Sequence, residues 1–297
     1  MKPVSRRVVL AASAAFVATP ALARSKIDLD KRALVELEQK SGGRLGVHVI
    51  DTASDRTLSL RADERFAMCS TFKLPLAAAI LRAADRGQLK LDTVLPYGTD
   101  DMVFHAPVTE QNLDKGGMPI RDLAEAAQKT SDNVAANLLV KQLGGPAGFT
   151  QFFRDIGDTV TRLDRYEPAM NAGGVENDER DTTTPKAMAE TIRNLLLGEL
   201  LSREAATTLR TWMINTKTGL KRLRAGFPAE STVGDKTGTA MNGKVGKYND
   251  VAVAWPKDRP PLVVAAYFNV LQTSEDIEDR YQAVLAEVGR IASVWAV

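Results

Sequence analysis

Residues 231–239 read STVGDKTGT, and they begin a series of short β-rich runs that decides the fold class. Two more runs follow at residues 248–255 (YNDVAVAW) and 262–269 (LVVAAYFN), where β-branched and aromatic residues are concentrated. Near the other end of the chain, residues 44–52 and 57–61 indicate two strands joined by a polar turn, which predicts a hairpin. Strands from both ends of the chain therefore share one sheet.

The part of the chain between these strands has the hydrophobic period of helices. From Ser70 to about Ile214, the pattern predicts helices at residues 71–86, 120–130, 133–143, 147–156, 185–197 and 202–214. Outside this region, a helix is predicted at residues 29–39 and an amphipathic helix at residues 274–295.

These elements predict an α/β (α+β) fold. An antiparallel sheet flanked by N- and C-terminal helices forms an α/β lobe, into which an all-helical lobe is inserted. The α/β lobe is expected at about residues 24–66 and 215–297, and the helical lobe at about residues 67–214. Residues 24–297 form a single domain, because no repeat or flexible linker divides them.

The first 23 residues have the pattern of a signal peptide. Lys2, Arg6 and Arg7 precede an apolar run at residues 8–17, and the small-x-small triplet that ends at Ala23 supplies a cleavage site. The apolar run is too short to span a bilayer as a permanent helix, so we expect no stable membrane anchor. The paired arginines also resemble a twin-arginine export signal. Cleavage near Ala23 predicts a periplasmic or secreted protein.

Composition narrows the classes of function. Cleavage after residue 23 of the 297 would leave 274 residues, with 36 basic and 37 acidic side chains. A near-neutral protein without a basic stripe gives no reason to expect a nucleic-acid partner. The one cysteine, Cys69, excludes an intramolecular disulfide and is typical of a small buried residue. The two histidines, His48 and His105, form no zinc-binding motif, so we expect neither a metal nor a cofactor.

Ser70 and Lys73 form a Ser-x-x-Lys motif. A serine hydroxyl is a poor nucleophile unless a base accepts its proton, and three residues along a helix place Lys73 on the same face as Ser70. An isolated motif of this kind is also typical of a Ser N-cap followed by a solvated lysine. Here a run of Leu and Ala follows, which predicts a buried helix in which a charged lysine requires partners. The context favours a nucleophile whose backbone N–H is free for a developing oxyanion.

The triplet Ser131-Asp132-Asn133 permits two interpretations. All three residue types are good helix caps, and a helix is predicted from Asn133 onward, so the triplet alone is typical of a cap. Its position between the Ser-x-x-Lys motif and the later Lys-Thr-Gly triplet favours a role in catalysis.

Two Lys-Thr-Gly triplets occur, at residues 217–219 and 236–238. The first follows a helical pattern and is interpreted as a helix C-terminus with its glycine cap. The second, Lys236-Thr237-Gly238, lies in a β-rich run, where glycine permits another molecule to approach the strand edge. Lys236 and Thr237 are then placed to bind a carboxylate.

Taken in chain order, these motifs resemble those of the class A β-lactamases, from about Leu29 to the C-terminus. The resemblance implies an active site between the two lobes, with Ser70 as the nucleophile and Lys73 beside it. It implies that Ser131 carries a proton to the lactam nitrogen, and that Asn133 binds Lys73 and the amide of the substrate's side chain.

The same resemblance assigns the loop between Arg165 and Asp181. Glu167 and Asn171 are similar to the carboxylate and amide that hold the deacylating water, with Glu167 as general base. Arg165 and Asp181 are similar to the ion pair that joins the two ends of this loop. The sequence leaves open whether Lys73 or Glu167 is the base in acylation. The chain also looks longer than is usual in the family at residues 172–175 and 241–246, which border the expected cleft.

Three further residues are assigned by the resemblance. Thr239 supplies the second backbone donor to the oxyanion. Arg222 is either a surface charge or an arginine that binds the substrate carboxylate. His105 lies where relatives often have an aromatic residue at the cleft mouth, so we expect it to shape the cleft rather than to catalyse.

The predicted function is that of an exported monomeric hydrolase that confers antibiotic resistance. It opens the β-lactam ring of penicillins and cephalosporins through an acyl-enzyme on Ser70. A D-alanyl-D-alanine peptidase and a penicillin sensor that stays acylated are the alternatives. The peptidases share the three motifs but lack the loop with Glu167 and Asn171.

Overall fold

The computed structural model describes residues 20–172, 178–241, 244–271 and 276–296, with side chains described from residue 31 onward. Residues 1–19 of the predicted signal peptide lie outside this description, and so do parts of the two segments that look long, 172–175 and 241–246. The first helix already begins at Pro20, before the predicted cleavage point.

The elements follow one another in mixed order. The strands are β1 (Gly43–Asp51), β2 (Thr57–Leu60), β3 (Phe66–Ala67), β4 (Val94–Pro96), β5 (Gly117–Pro119), β6 (Thr182–Thr183), β7 (Thr232–Met241), β8 (Val245–Trp255) and β9 (Leu262–Leu271). The helices are α1 (Pro20–Ser41), α2 (Lys73–Asp85), α3 (Ile120–Lys129), α4 (Asn133–Gln142), α5 (Gly145–Asp155), α6 (Pro185–Leu197), α7 (Arg203–Ile214) and α8 (Asp279–Trp295).

Strands from both ends of the chain form one antiparallel sheet, in the order β2-β1-β9-β8-β7. The predicted antiparallel sheet, its flanking terminal helices and the helical segment between its strands are therefore confirmed. The register pairs Val47 of β1 with Ala266 of β9, and Lys236 of β7 with Val251 of β8. Strand β7 is at the edge of the sheet, so one side of its backbone faces another part of the molecule.

Side-chain alternation along the strands separates two apolar cores. On β9, Val264 and Phe268 pack with α1 and α8 on one face, whereas Val263 and Tyr267 face the helical segment on the other. Both faces are covered, which explains why β8 and β9 are buried almost throughout.

Helix α2 is the centre of the helical segment. Ten of its thirteen residues are buried, including Lys73 at its first position. Its neighbours α3, α4, α6 and α7 pack around it. Within the described residues, no helix combines the length and hydropathy needed to cross a bilayer.

Candidate active site

Ser70 lies in a short 3-10 helix, Cys69–Phe72, that runs directly into α2. Cys69 takes a positive φ of 45°, and its buried thiol has a pKa raised to about 12 because burial disfavours the thiolate. Asn249 on β8 holds the backbone before Ser70, because its Nδ2 donates to the carbonyls of Ala67 (2.9 Å) and Met68 (3.2 Å). The serine is thus held on a rigid turn at the edge of a cleft.

Lys73 connects the other groups of the site. Its ammonium is fully buried and donates to Ser70 Oγ (2.9 Å), to the Ser131 carbonyl (2.9 Å) and Oγ (3.3 Å), and to Asn133 Oδ1. Glu167 Oε1 lies 3.1 Å from the same nitrogen and accepts a hydrogen bond from Ser70 Oγ at 3.3 Å. Oxygen atoms of four residues therefore surround one amine.

Burial and charge act in opposite directions on Lys73. Burial lowers its pKa from the usual value, while the carboxylate of Glu167 opposes that decrease. Burial and the positive charge of Lys73 together hold the pKa of Lys236 well below its usual value. Both amines can therefore lose a proton more readily than an exposed lysine, which is a property suited to proton transfer.

The Ser131-Asp132-Asn133 triplet is both a cap and part of the site. Asp132 caps α4 by accepting from the Ala135 N–H at 2.9 Å, and its side chain also accepts from Thr109 Oγ1 at 2.9 Å. Ser131, with a positive φ of 63°, and Asn133 instead face Lys73. The Ser131 hydroxyl lies between two amines, 3.3 Å from Lys73 Nζ and 3.1 Å from Lys236 Nζ.

Glu167 enters the site from a loop that is fixed on both sides. Its backbone N–H and C=O pair with the amide side chain of Asn137 on α4, each at 2.9 Å. Its second carboxylate oxygen accepts from Asn171 Nδ2 at 2.6 Å. At the neck of the loop, Arg165 Nε donates to the buried carboxylate of Asp181 at 2.6 Å.

A cleft of about 560 Å³ opens between β7 and the helical segment. It is lined by Ser70, Phe104, His105, Ser131, Asn133, Pro168, Asn171, Thr218, Arg222, Thr237, Thr239, Ala240, Met241, Ile277 and Gln282. Lys73, Glu167 and Lys236 are buried beneath its floor. A hydroxyl with a buried amine and carboxylate, at the base of a cleft of this size, is arranged for nucleophilic catalysis on a small molecule.

Comparison with known proteins agrees with this geometry. The model of the Beta-lactamase enzyme family matches residues 30–295. The chain is 42% identical to β-lactamase OXY-2 of Klebsiella oxytoca, over 96% of this chain and 93% of that protein. It is 43% identical to an imipenem-hydrolyzing β-lactamase of Enterobacter cloacae, over 86% of both chains.

Among solved structures, an ancestral class A β-lactamase (GNCA) superposes with a TM-score of 0.82 at 53% identity, covering 88% of this chain and 98% of that one. The chain belongs to the class A β-lactamases. This family consists of serine hydrolases that act on β-lactam antibiotics.

The structure of this β-lactamase decides between the two interpretations of Arg222 and places His105 where the sequence predicted it. Arg222 is not a surface charge, because it is only 2% exposed and lies behind β7. Its guanidinium donates to the carbonyls of Gly238 (3.1 Å) and Asn249 (2.8 Å) and to Thr239 Oγ1 (2.6 Å). His105 lines the cleft mouth, where its Nε2 lies 2.9 Å from the Thr130 carbonyl.

Gly238 is required for a reason that the sequence did not indicate. A Cβ at this position would lie 2.7 Å from the Met68 carbonyl and 3.1 Å from the Thr71 nitrogen. The glycine therefore also lets the chain's own nucleophile segment approach β7.

Sequence reasoning missed two contributors to this β-lactamase site. The triplet at residues 217–219 is not a helix cap, because α7 ends at Ile214. Instead, Thr218 lines the cleft with its hydroxyl 2.6 Å from that of Thr237. Asn137 was also not predicted, and its position one helical turn after Asn133 on α4 was the available signal.

Proposed function

We propose that this class A β-lactamase opens the ring of penicillins and cephalosporins through an acyl-enzyme on Ser70. The observation that carries the proposal is the triangle formed by Ser70 Oγ, Lys73 Nζ and Glu167 Oε1, with sides of 2.9, 3.1 and 3.3 Å. Attack by Ser70 on the lactam carbonyl requires a base that takes its proton. Both Lys73 and Glu167 lie within hydrogen-bonding distance to accept it.

Cleavage of the ring C–N bond requires a proton on the leaving nitrogen. We assign that step to Ser131, whose hydroxyl lies between Lys73 and Lys236. The proton that Ser131 gives to the nitrogen is replaced by one from the ammonium group of Lys73 or Lys236, so the serine acts as a relay. The backbone N–H groups of Ser70 and Thr239 stabilise the oxyanion that forms on the carbonyl.

Hydrolysis of the acyl-enzyme requires an activated water molecule. Glu167 and Asn171 are proposed to hold this water, with Glu167 as the base that takes its proton. Asn171 Nδ2 fixes one carboxylate oxygen, and the other oxygen faces Ser70. We therefore propose that the water molecule lies between this carboxylate and the carbonyl of the ester on Ser70, and attacks from there.

Recognition of the substrate is proposed to depend on its carboxylate and its side-chain amide. The carboxylate is bound by Lys236 and by the hydroxyls of Thr237 and Thr239. Arg222 orients Thr239 from behind the strand by donating to its hydroxyl. Asn133 meets the side-chain amide. Gly238 supplies backbone at the strand edge, and His105 shapes the cleft mouth.

The proposal also includes the cellular form of the enzyme. The first 23 residues act as a signal peptide whose paired arginines resemble the twin-arginine type, and residues 24–297 form the exported single-domain enzyme. We propose that it acts as a monomer in the periplasm or outside the cell, without a metal or cofactor.

Acid quench of the enzyme within milliseconds of mixing with benzylpenicillin tests the covalent step. Intact mass should show one added penicilloyl group, and peptide mapping should place it on Ser70. Ser70→Ala should show no adduct, whereas Ser54→Ala, on the exposed turn between β1 and β2, should label like the wild type. An adduct that persists in Ser70→Ala would overturn the assignment.

A further inference from the structure

Lys247 is a buried lysine of β8 that is outside the set of catalytic groups. It is 4% exposed, and its register places it opposite Ala240 of β7 and Asn269 of β9. Its ammonium donates to the backbone carbonyl of Asn171 at 2.9 Å. The side chain therefore joins the sheet to the loop that carries Glu167.

Burying an ammonium group is costly unless it is hydrogen bonded, so the contact with the loop offsets part of that cost. A hydrogen bond from a charged donor is shorter and stronger than one between neutral groups. Asn171 belongs to a 3-10 helix, Ala169–Ala172, and its side-chain amide donates to Glu167 Oε2. Fixing the carbonyl of Asn171 therefore also fixes the amide that orients the carboxylate.

The other contacts hold the loop at a different point. Asn137 binds the backbone of Glu167, and Lys73 binds its carboxylate. Lys247 acts four residues later, at the end of the segment that includes both proposed water ligands. Two fixed ends determine the separation and orientation of Glu167 and Asn171.

We propose that Lys247 is a positioning residue for deacylation, which holds Asn171 and thereby the water site while leaving acylation unaffected. The inference rests on the proposed role of Glu167. Acylation depends on Ser70, Lys73 and Ser131, whereas the contact of Lys247 is with the backbone of Asn171, on the side of Glu167 that we assign to the water site. A displacement of about 1 Å at a reacting group can reduce a rate by about 100-fold.

The test compares acylation and deacylation rate constants of the full-length mature enzyme with benzylpenicillin, by quenched-flow intact mass. Lys247→Met, which removes the charge but keeps the length, should slow deacylation by roughly 10- to 100-fold and leave acylation within about 3-fold. Lys247→Arg should recover part of the deacylation rate. Lys257→Met, at an exposed lysine after β8, is the control and should leave both rates unchanged.

The double variant of Lys247→Met with Glu167→Gln separates this inference from the proposed function. If Lys247 acts through the Glu167 water site, its change should add almost nothing to the effect of Glu167→Gln. The inference would be overturned if Lys247→Met deacylates at the wild-type rate, or if it loses acylation and deacylation in parallel. Either result would count against it even if Glu167→Gln accumulates acyl-enzyme. Wild-type turnover in Glu167→Gln would instead overturn the proposed function. If Lys247→Met does not fold, Lys247→Gln takes its place with the same expectation.

Discussion

Replacing Glu167 with Gln separates the two half-reactions. The amide keeps the shape of the side chain, but it loses the charge that faces Lys73 and the ability to take a proton from water. The carboxylate of Glu167 contacts Lys73 (3.1 Å), Ser70 (3.3 Å) and Asn171 (2.6 Å). The first two concern acylation, and the third concerns the proposed water site.

A positioned general base contributes roughly 10²- to 10⁴-fold to a rate, so deacylation should slow by that factor. This corresponds to about 3 to 5 kcal/mol in the barrier. Acylation should fall much less. Burial already lowers the pKa of Lys73, and the carboxylate of Glu167 opposes that decrease. Without the carboxylate, Lys73 becomes a neutral amine more readily, and it can then accept the Ser70 proton.

Intact-mass measurement after mixing with benzylpenicillin checks this prediction. The Glu167→Gln variant should accumulate a stable adduct, while the wild type shows little at steady state. Glu179→Gln is the control, because Glu179 lies on the same loop but is exposed and pairs with Arg65 at 3.4 Å. The reasoning is refuted if Glu167→Gln turns over at the wild-type rate, or if the wild type itself stays fully acylated.

Three further predictions follow from other parts of the structure. Gly238→Ala should destabilise the fold by about 1 to 3 kcal/mol and slow acylation, because the new Cβ would lie too close to the Met68 carbonyl. An unchanged melting temperature and an unchanged acylation rate would contradict this. Thr239→Ala should reduce kcat/KM for a cephalosporin, because it removes the hydroxyl held by Arg222, and equal efficiency would argue against the proposed carboxylate contact. Burial lowers the pKa of His48 to about 4. Between about pH 6.5 and pH 4 the unfolded chain therefore binds more protons than the folded protein, so the free energy of unfolding falls as the pH drops through that window. Denaturant unfolding at pH 7 and pH 4.5 checks this prediction. The wild type should lose at most about 3 kcal/mol through His48 at the lower pH, and His48→Gln should not show this loss.

Most elements were predictable from the sequence because their signals are local. Helices α4, α6 and α7 begin within one residue of the predicted positions, since Asp132, Thr184 and Ser202 each accept a hydrogen bond from the backbone N–H three residues later. The long strands have apolar runs that need no knowledge of their partners. The two-residue strands β3 and β6 were missed, because only the tertiary pairing of Phe66 with Thr183 creates them.

The residues of the site were predictable where they belong to a sequence motif. Those that tertiary packing brings to the site were not predictable. Ser70 and Lys73 are three residues apart on one turn, so their proximity follows from helix geometry. The burial of Arg222 behind β7 depends on how the segment after α7 packs against the sheet. The contact of Lys247 with Asn171 joins residues far apart in the chain, and no local pattern indicates it.

The most direct test of the central claim is the number of turnovers of a chromogenic cephalosporin per molecule of enzyme. The proposed mechanism predicts many turnovers for the wild type, with one equivalent of covalent intermediate on Ser70, and no turnover for Ser70→Ala. A wild-type reaction that stops after one equivalent would contradict the hydrolytic cycle. Hydrolysis that continues in Ser70→Ala would contradict the serine acyl-enzyme itself.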